Sequence, residues 1–186
     1  MDTRRRDIAP WPVNSTRELT SNRIFDLSAR RSTSPVTDRE HEFYVLECTD
    51  WVNVIPLREN GDVVLIRQWR HGTREVTLEI PGGMVDPEDA DPGEAARREL
   101  LEETGYHAGK VERLGAISPN PAILNNLCHS YLATDLSDRG TPSMDGTEDI
   151  DVVEVPLTDV PRLISDGEIV HALVVVAFTY YFGLQP

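Results

Sequence analysis

The segment from Asp91 to Gly105 constrains the fold of this chain more than any other. Asp91 is a residue type that accepts hydrogen bonds from the first free amides of a helix, Pro92 is preorganised for the first turn, and Gly105 readily terminates one. The spacing predicts a helix over residues 92–104. On that helix Glu99, Glu102 and Glu103 fall within one arc of about 100°, so three carboxylates share a face. Ala96, Leu100 and Thr104 lie beyond one side of the arc and can face a sheet. Like charges at these spacings each cost a few tenths of a kcal/mol, so something must compensate. Converging oxygen ligands are what a hard cation such as Mg²⁺ requires, and Arg98 can brace the carboxylates from the flank. The plain alternative is a solvated acidic helix face.

The surrounding chain reads as mostly β. Residues 1–20 mix charge, proline and polar residues without periodicity and are expected to form a partly ordered arm. Two β-like runs at 23–28 and 42–48 suggest a hairpin-like N-terminal extension over 21–49. Residues 51–57 and 62–69 flank Asn60-Gly61, a strong turn signal, and predict a hairpin. The run 78–80 then enters Pro81-Gly82-Gly83, where the backbone can make a close approach. Further strands are expected near 111–118, 127–133 and 150–155, and a short helix at 160–165. Residues 173–181 are rich in β-branched and aromatic side chains, which by propensity favour a strand.

With 186 residues, 39% of them hydrophobic, the chain can bury one sizeable core and is short for two full domains. Its 32 acidic against 18 basic residues give a net charge of −14, which argues against general affinity for nucleic acid or an anionic membrane. The apolar stretch 169–182 contains His171 and is shorter than the ~20 residues that span a bilayer. No export signal follows the Arg4-Arg5-Arg6 start, so a cytoplasmic location is expected. Cys48 and Cys128 lie in apolar segments without metal-like spacing and read as reduced core residues.

The run Arg98-Glu99-Leu100-x-Glu102-Glu103-x-Gly105-Tyr106, preceded by Gly82-Gly83, goes beyond a charged helix face. A chance match of even six of its seven named positions is on the order of one in ten million per start site. The segment from Gly83 to Tyr106 closely resembles the Nudix box. That resemblance implies an α/β class fold, an α/β/α sandwich around a mixed sheet, over residues 50–186, with the small antiparallel β extension before it. It also implies a metal held by Glu99, Glu102 and Glu103 together with a backbone carbonyl at Gly82 or Gly83, of which Gly82 is preferred. One departure is clear: the stretch between Gly83 and Arg98 is one residue longer than the family's spacing. The extra residue falls in the 86–91 loop, so that an earlier family glutamate is matched by Glu88 or Asp89 only approximately.

Outside the box, Arg67-Gln68-Trp69-Arg70 and Leu78-Glu79-Ile80-Pro81-Gly82-Gly83 resemble the branch that hydrolyses ADP-ribose and nucleoside-diphosphate sugars. Pro121 matches a proline associated with ADP-ribose hydrolysis, although Pro119-Asn120-Pro121 is also simply a good loop. By this resemblance the chain is an enzyme that cuts a pyrophosphate bond to give a nucleoside monophosphate and a sugar phosphate. Mg²⁺ is the expected cofactor, with Mn²⁺ possible in its place; the bound metal offsets the chain's own negative charge toward an anionic substrate. Arg70 would contact the diphosphate through its planar guanidinium, with a salt bridge to Glu75 or Glu79 as the alternative. Glu79 would be an accessory metal or ribose contact, or else an exposed strand residue. Trp51 would stack on the base, or else be a buried strand aromatic. The general base is expected in the acidic segment 143–150, with Glu148 preferred over Asp145 and Asp149, while Glu103 and Arg98 complete the catalytic set. The branch further implies a homodimer formed through the N-terminal extension and, against local propensity, a helix over 170–182. A competing reading is a non-catalytic Nudix-like module that senses a nucleotide; such modules usually show eroded box glutamates, which this chain does not.

Overall fold

The computed structural model describes residues 7–137, 139–143 and 149–183. The chain divides into two compact units, Met1–Cys48 with Asn120–Asn126, and Thr49–Pro119 with Leu127–Pro186.

The first unit is built on an antiparallel sheet of β1 (Val13–Ser21), β2 (Asp26–Thr33) and β3 (Glu40–Glu47), in that order. Strand β1 occupies part of the segment that reads as a loose arm. Its residues are exposed throughout, so no in–out alternation is imprinted on the sequence, and main-chain pairing such as Thr16 with Arg30 holds it to β2. The chain turns into β2 through Asn22, whose side-chain oxygen accepts from the amides of Ile24 at 2.8 Å and Phe25 at 3.1 Å. Strand β2 runs on to Thr33, into the connection that its polar composition suggests, because Ser28 and Ser32 are buried there and Ser28 donates to Glu47 at 2.7 Å. At the end of β3 the Leu46 amide donates to Ile123 O at 2.8 Å and the Cys48 amide to Asn125 Oδ1 at 2.9 Å, which brings residues 120–126 into this unit.

The second unit contains β4 (Trp51–Pro56), β5 (Asp62–Arg70), β6 (Glu75–Glu79), β7 (Gly82–Met84), α1 (Pro92–Thr104), β8 (Ala108–Ile117), β9 (Cys128–Leu136) and β10 (Ile150–Pro156). A 3₁₀ turn at Leu157–Asp159, α2 (Val160–Ser165) and α3 (Ala172–Tyr181) follow. One sheet has the order β7-β4-β9-β8 and is mixed, since β4 and β9 are parallel; the other is β10-β5-β6 and antiparallel. Helix α1 packs Ala95, Ala96 and Leu100 against Val52, Val54 and Val64. Helices α2 and α3 place Leu163, Ala177 and Phe178 in a second core with Ile55, Val63 and Leu65. Strands β4 and β5 thus bury both faces between helical layers, which is an α/β/α sandwich.

The turn at Asn60-Gly61 forms as the sequence predicts, with the Arg58 amide donating to Asp62 O at 2.9 Å. The two strands do not continue as a hairpin. After one bridge between Leu57 and Val63 they diverge, because β4 is paired on its two edges by β7 and β9 and β5 by β6 and β10. The helix α3 overrides its β propensity. Helix formation by Val and Thr costs a few tenths of a kcal/mol per residue, whereas each fully buried apolar side chain such as Phe178 contributes about 1.5–3 kcal/mol. Among the described residues no helix is long and apolar enough to cross a membrane.

Candidate active site

Helix α1 is held at both ends by the residues that predict it. Asp91 Oδ1 accepts from the Gly93 amide at 2.7 Å and the Glu94 amide at 3.1 Å, and Gly105, with φ of 79°, donates to Leu101 O at 2.8 Å. This fixes the rotation of the helix. Ala95, Ala96, Leu100 and Thr104 enter the core, and the three glutamates line its border with graded exposure: Glu103 is 2% exposed, and the Glu99 and Glu102 side chains 13% and 41%.

Each glutamate meets a defined donor or neighbour. Glu103 Oε2 accepts from the Gly82 amide at 2.9 Å, which ties α1 to β7. Arg98 Nη1 donates to Glu99 Oε1 at 2.9 Å and to Glu102 Oε2 at 3.1 Å. The two glycines of β7 are there for separate steric reasons. A Cβ on Gly82 would collide with the Val52 carbonyl oxygen and lie 2.9 Å from Asn53 Cα, whereas one on Gly83 would collide with the Glu99 carboxylate.

Arg98 does more than flank the acidic face. Its Nε and Nη2 donate to the two oxygens of Asp89 at 3.2 and 3.0 Å, and Nη2 also donates to Met84 O at 3.0 Å. The Asp89 carboxylate raises the guanidinium well above its ordinary range and is itself held low by it. In the lengthened loop it is Asp89, not the exposed Glu88, that Arg98 holds through two nitrogens, and Asp86 Oδ2 also lies 3.4 Å from Nη2. The loop absorbs its extra residue in a tight turn, with the Asp89 amide donating to Asp86 O at 3.1 Å.

Among the described residues no three His, Cys, Asp or Glu side chains are gathered closely enough to hold a metal ion as they stand. The donor set nevertheless fits a hard divalent cation in kind. Three carboxylates face one way from one helix beside the β7 backbone, and the Arg98 cation already bridges Glu99 and Glu102.

Glu79 ends β6, and Arg70 ends β5, where it is in register with Glu75. Arg70 Nε and Nη2 donate to Glu79 Oε1 and Oε2 at 2.8 and 2.7 Å, the salt bridge foreseen as the alternative for this arginine. Glu79 is not an exposed strand residue: it is 2% exposed and also accepts from Thr77 Oγ1 at 2.6 Å. Burial pushes its carboxyl up, but the Arg70 and Thr77 hydrogen bonds outweigh that and hold it below the usual range. His171 Nδ1, at the start of α3, lies 3.2 Å from Glu79 Oε2, within ion-pair range but without the alignment of a hydrogen bond. Burial lowers the His171 pKa more than Glu79 raises it.

Trp51 is half-buried at the start of β4, in register with Met84 of β7 and Cys128 of β9. Glu148 and Asp145 lie outside the described residues, and Asp149 is exposed. The chain on either side of them is anchored: the Ser143 amide donates to Glu102 O at 2.9 Å, and Ile150 pairs with Gln68. Cys128 is buried and its thiol is pushed up to about 12 by burial, while Cys48 is only half-buried; both are free. Nothing in the local pattern marks Asp89, Thr77 or His171 as partners of charged site residues, apart from Thr77 standing two residues before Glu79 on one strand face.

A family model described as the NUDIX domain matches residues 49–175. The ADP-ribose pyrophosphatase of Bacillus subtilis is 31% identical over 130 residues, 69% of this chain and 70% of that protein. The GDP-mannose pyrophosphatase of Citrobacter koseri is 35% identical over 132 residues, 66% of this chain and 68% of that one. The crystal structure of an ADP compounds hydrolase superposes with a TM-score of 0.83 at 22% identity, covering 97% of this chain and 96% of its own, and so shares the fold. Nudix hydrolases generally depend on a divalent metal. With its box helix, the glycine pair against that helix and the match across residues 49–175, the chain belongs to the Nudix family.

Proposed function

We propose that the protein hydrolyses the pyrophosphate bond of ADP-ribose or a nucleoside-diphosphate sugar, releasing a nucleoside monophosphate and a sugar phosphate. The observation that carries this reading is the arrangement on α1: three glutamates on one face, with Glu103 buried against the Gly82 amide and Arg98 bracing the other two. Relatives that bear the names ADP-ribose pyrophosphatase and GDP-mannose pyrophosphatase support the substrate class.

Glu99, Glu102 and Glu103, with the carbonyl of Gly82, would hold Mg²⁺ or Mn²⁺. Bound there, the ion supplies neutralisation of charge on the phosphate oxygens and makes the attacking water more acidic. Arg70 binds the diphosphate through its planar guanidinium. Glu148 accepts the proton of the water that attacks phosphorus in line, from a segment whose preceding residue Ser143 is tethered to Glu102 O. Trp51 stacks on the base. The three intact glutamates favour catalysis over a sensor role. The protein works as a homodimer through its first unit, a reading supported by the exposed Phe43 and Tyr44 and the partly exposed Trp11 of that unit. It acts in the cytoplasm, where two free cysteines stay reduced.

The test is phosphatase-coupled phosphate release from a panel of ADP-ribose, ADP-glucose, GDP-mannose and UDP-sugars, with and without Mg²⁺. Metal-dependent release from at least one compound is expected. Tight binding of these compounds with no turnover in either metal would replace the enzyme with the sensor.

A further inference from the structure

Arg70 is the residue to which the proposed function assigns the diphosphate, and its surroundings are unusually built. The carboxylate that grips it is buried, whereas the Arg70 side chain is 42% exposed. The pair is bidentate, with both Glu79 oxygens used, and a bidentate arginine–carboxylate contact fixes the plane of the guanidinium as well as its position. Glu79 in turn has a neighbour at each oxygen. Thr77 donates to Oε1 from the same strand, and His171 stands 3.2 Å from Oε2 at the start of α3, a different helix.

We infer that Glu79, held by Thr77, is a positioning residue that holds the Arg70 guanidinium in the orientation in which it meets the diphosphate, and does not itself touch substrate or metal. This rests on the reading of Arg70 as the diphosphate contact. Direct contact of Glu79 with metal or ribose would have to use the remaining lone pair of Oε2, since Oε1 already accepts from Arg70 and Thr77, and His171 Nδ1 stands 3.2 Å from Oε2. Glu79 is 2% exposed, which leaves a ligand little access to that oxygen. His171, at the start of α3, stands beside this pair.

The experiment measures kcat, KM and the Mg²⁺ concentration for half-maximal rate in E79Q, R70A and E79Q/R70A, on whichever panel compound the wild type hydrolyses best. Expected is a rise in KM of about tenfold for E79Q, with kcat changed far less and the Mg²⁺ dependence unmoved. In the R70A background E79Q should add nothing, because a residue that acts through Arg70 has no further effect once Arg70 is gone. If E79Q lowers activity by the same factor in both backgrounds, or shifts the Mg²⁺ requirement, Glu79 is a direct contact and the inference is overturned. R70A with wild-type KM overturns it as well, by removing the Arg70 contact, while turnover by that variant leaves the hydrolase reading standing. Should E79Q fail to fold, T77V, which removes the hydrogen bond to Oε1, carries the same comparison in both backgrounds, with an expected KM rise of about threefold that vanishes without Arg70.

Discussion

Glu103 is the most buried of the three box glutamates, and the Gly82 amide donates to its carboxylate. Glu103→Gln keeps an oxygen for that amide and loses the charge. The expected result is a kcat lower by orders of magnitude at saturating Mg²⁺ with an unchanged circular dichroism spectrum; near-wild-type turnover would remove Glu103 from the metal site. The neighbouring glycines separate fold from function in the same few ångströms. Gly82→Ala drives a methyl into the β4 backbone, which cannot yield cheaply, and should cost about 3 kcal/mol, seen as a drop of roughly 10 °C in Tm. Gly83→Ala meets first the Glu99 carboxylate, the far end of a side chain that can shift, and no backbone atom as near. That variant should melt close to wild type yet lose most of its activity, and equal Tm losses in the two variants would contradict this division.

Elements with self-sufficient local signals were legible in the sequence. Helix α1 carries its own start and stop in Asp91, Pro92 and Gly105, and both ends match the structure to the residue. Elements defined by their neighbours were not. Residues 51–57 and 62–69 read as one hairpin, because nothing in either run announces that β7 and β9 will claim one strand and β6 and β10 the other. Strand β1 left no pattern because it has no buried face, and α3 reads locally as a strand because tertiary burial, not propensity, selects its conformation. The candidate site divides in the same way: Glu99, Glu102 and Glu103 follow from helical spacing, whereas the contacts of Asp89 with Arg98 and of His171 with Glu79 join residues that only the fold brings together. One such contact links the end of α1 to β10. The Tyr106 hydroxyl donates to Glu154 Oε1 at 2.6 Å, and Arg58 binds the other carboxylate oxygen and lies over the Tyr106 ring. Burial pushes the Glu154 carboxyl up, and Tyr106 and Arg58 more than reverse it, so its folded pKa lies below the ordinary 4.5. A lowered folded pKa gives stability that is present above 4.5 and is lost as pH falls through the folded value. Thermal melts between pH 7 and 3 should therefore show a shallower acid loss in E154Q than in wild type, and parallel curves would deny Glu154 this part.

At the scale of the whole molecule, a net charge of −14 makes divalent ions the natural ligand of an acidic face already crowded with carboxylates. Millimolar Mg²⁺ should raise the Tm of the wild type, and by less in Glu103→Gln; an equal rise in both would assign the effect to general screening. Light scattering should give twice the chain mass, and a monomer at assay concentration would dismiss the homodimer. The make-up of the first unit has a consequence for how this protein can be shortened or recombined. Residues 120–126 belong with 1–48, so the chain enters that unit twice. Trimming everything before Thr49 would leave behind a seven-residue remnant whose Ile123 carbonyl has lost the Leu46 amide. Gain or loss of the N-terminal sheet during evolution thus calls for two coordinated edits at distant points of the gene, and a single crossover would deliver an orphaned loop instead of a clean domain exchange.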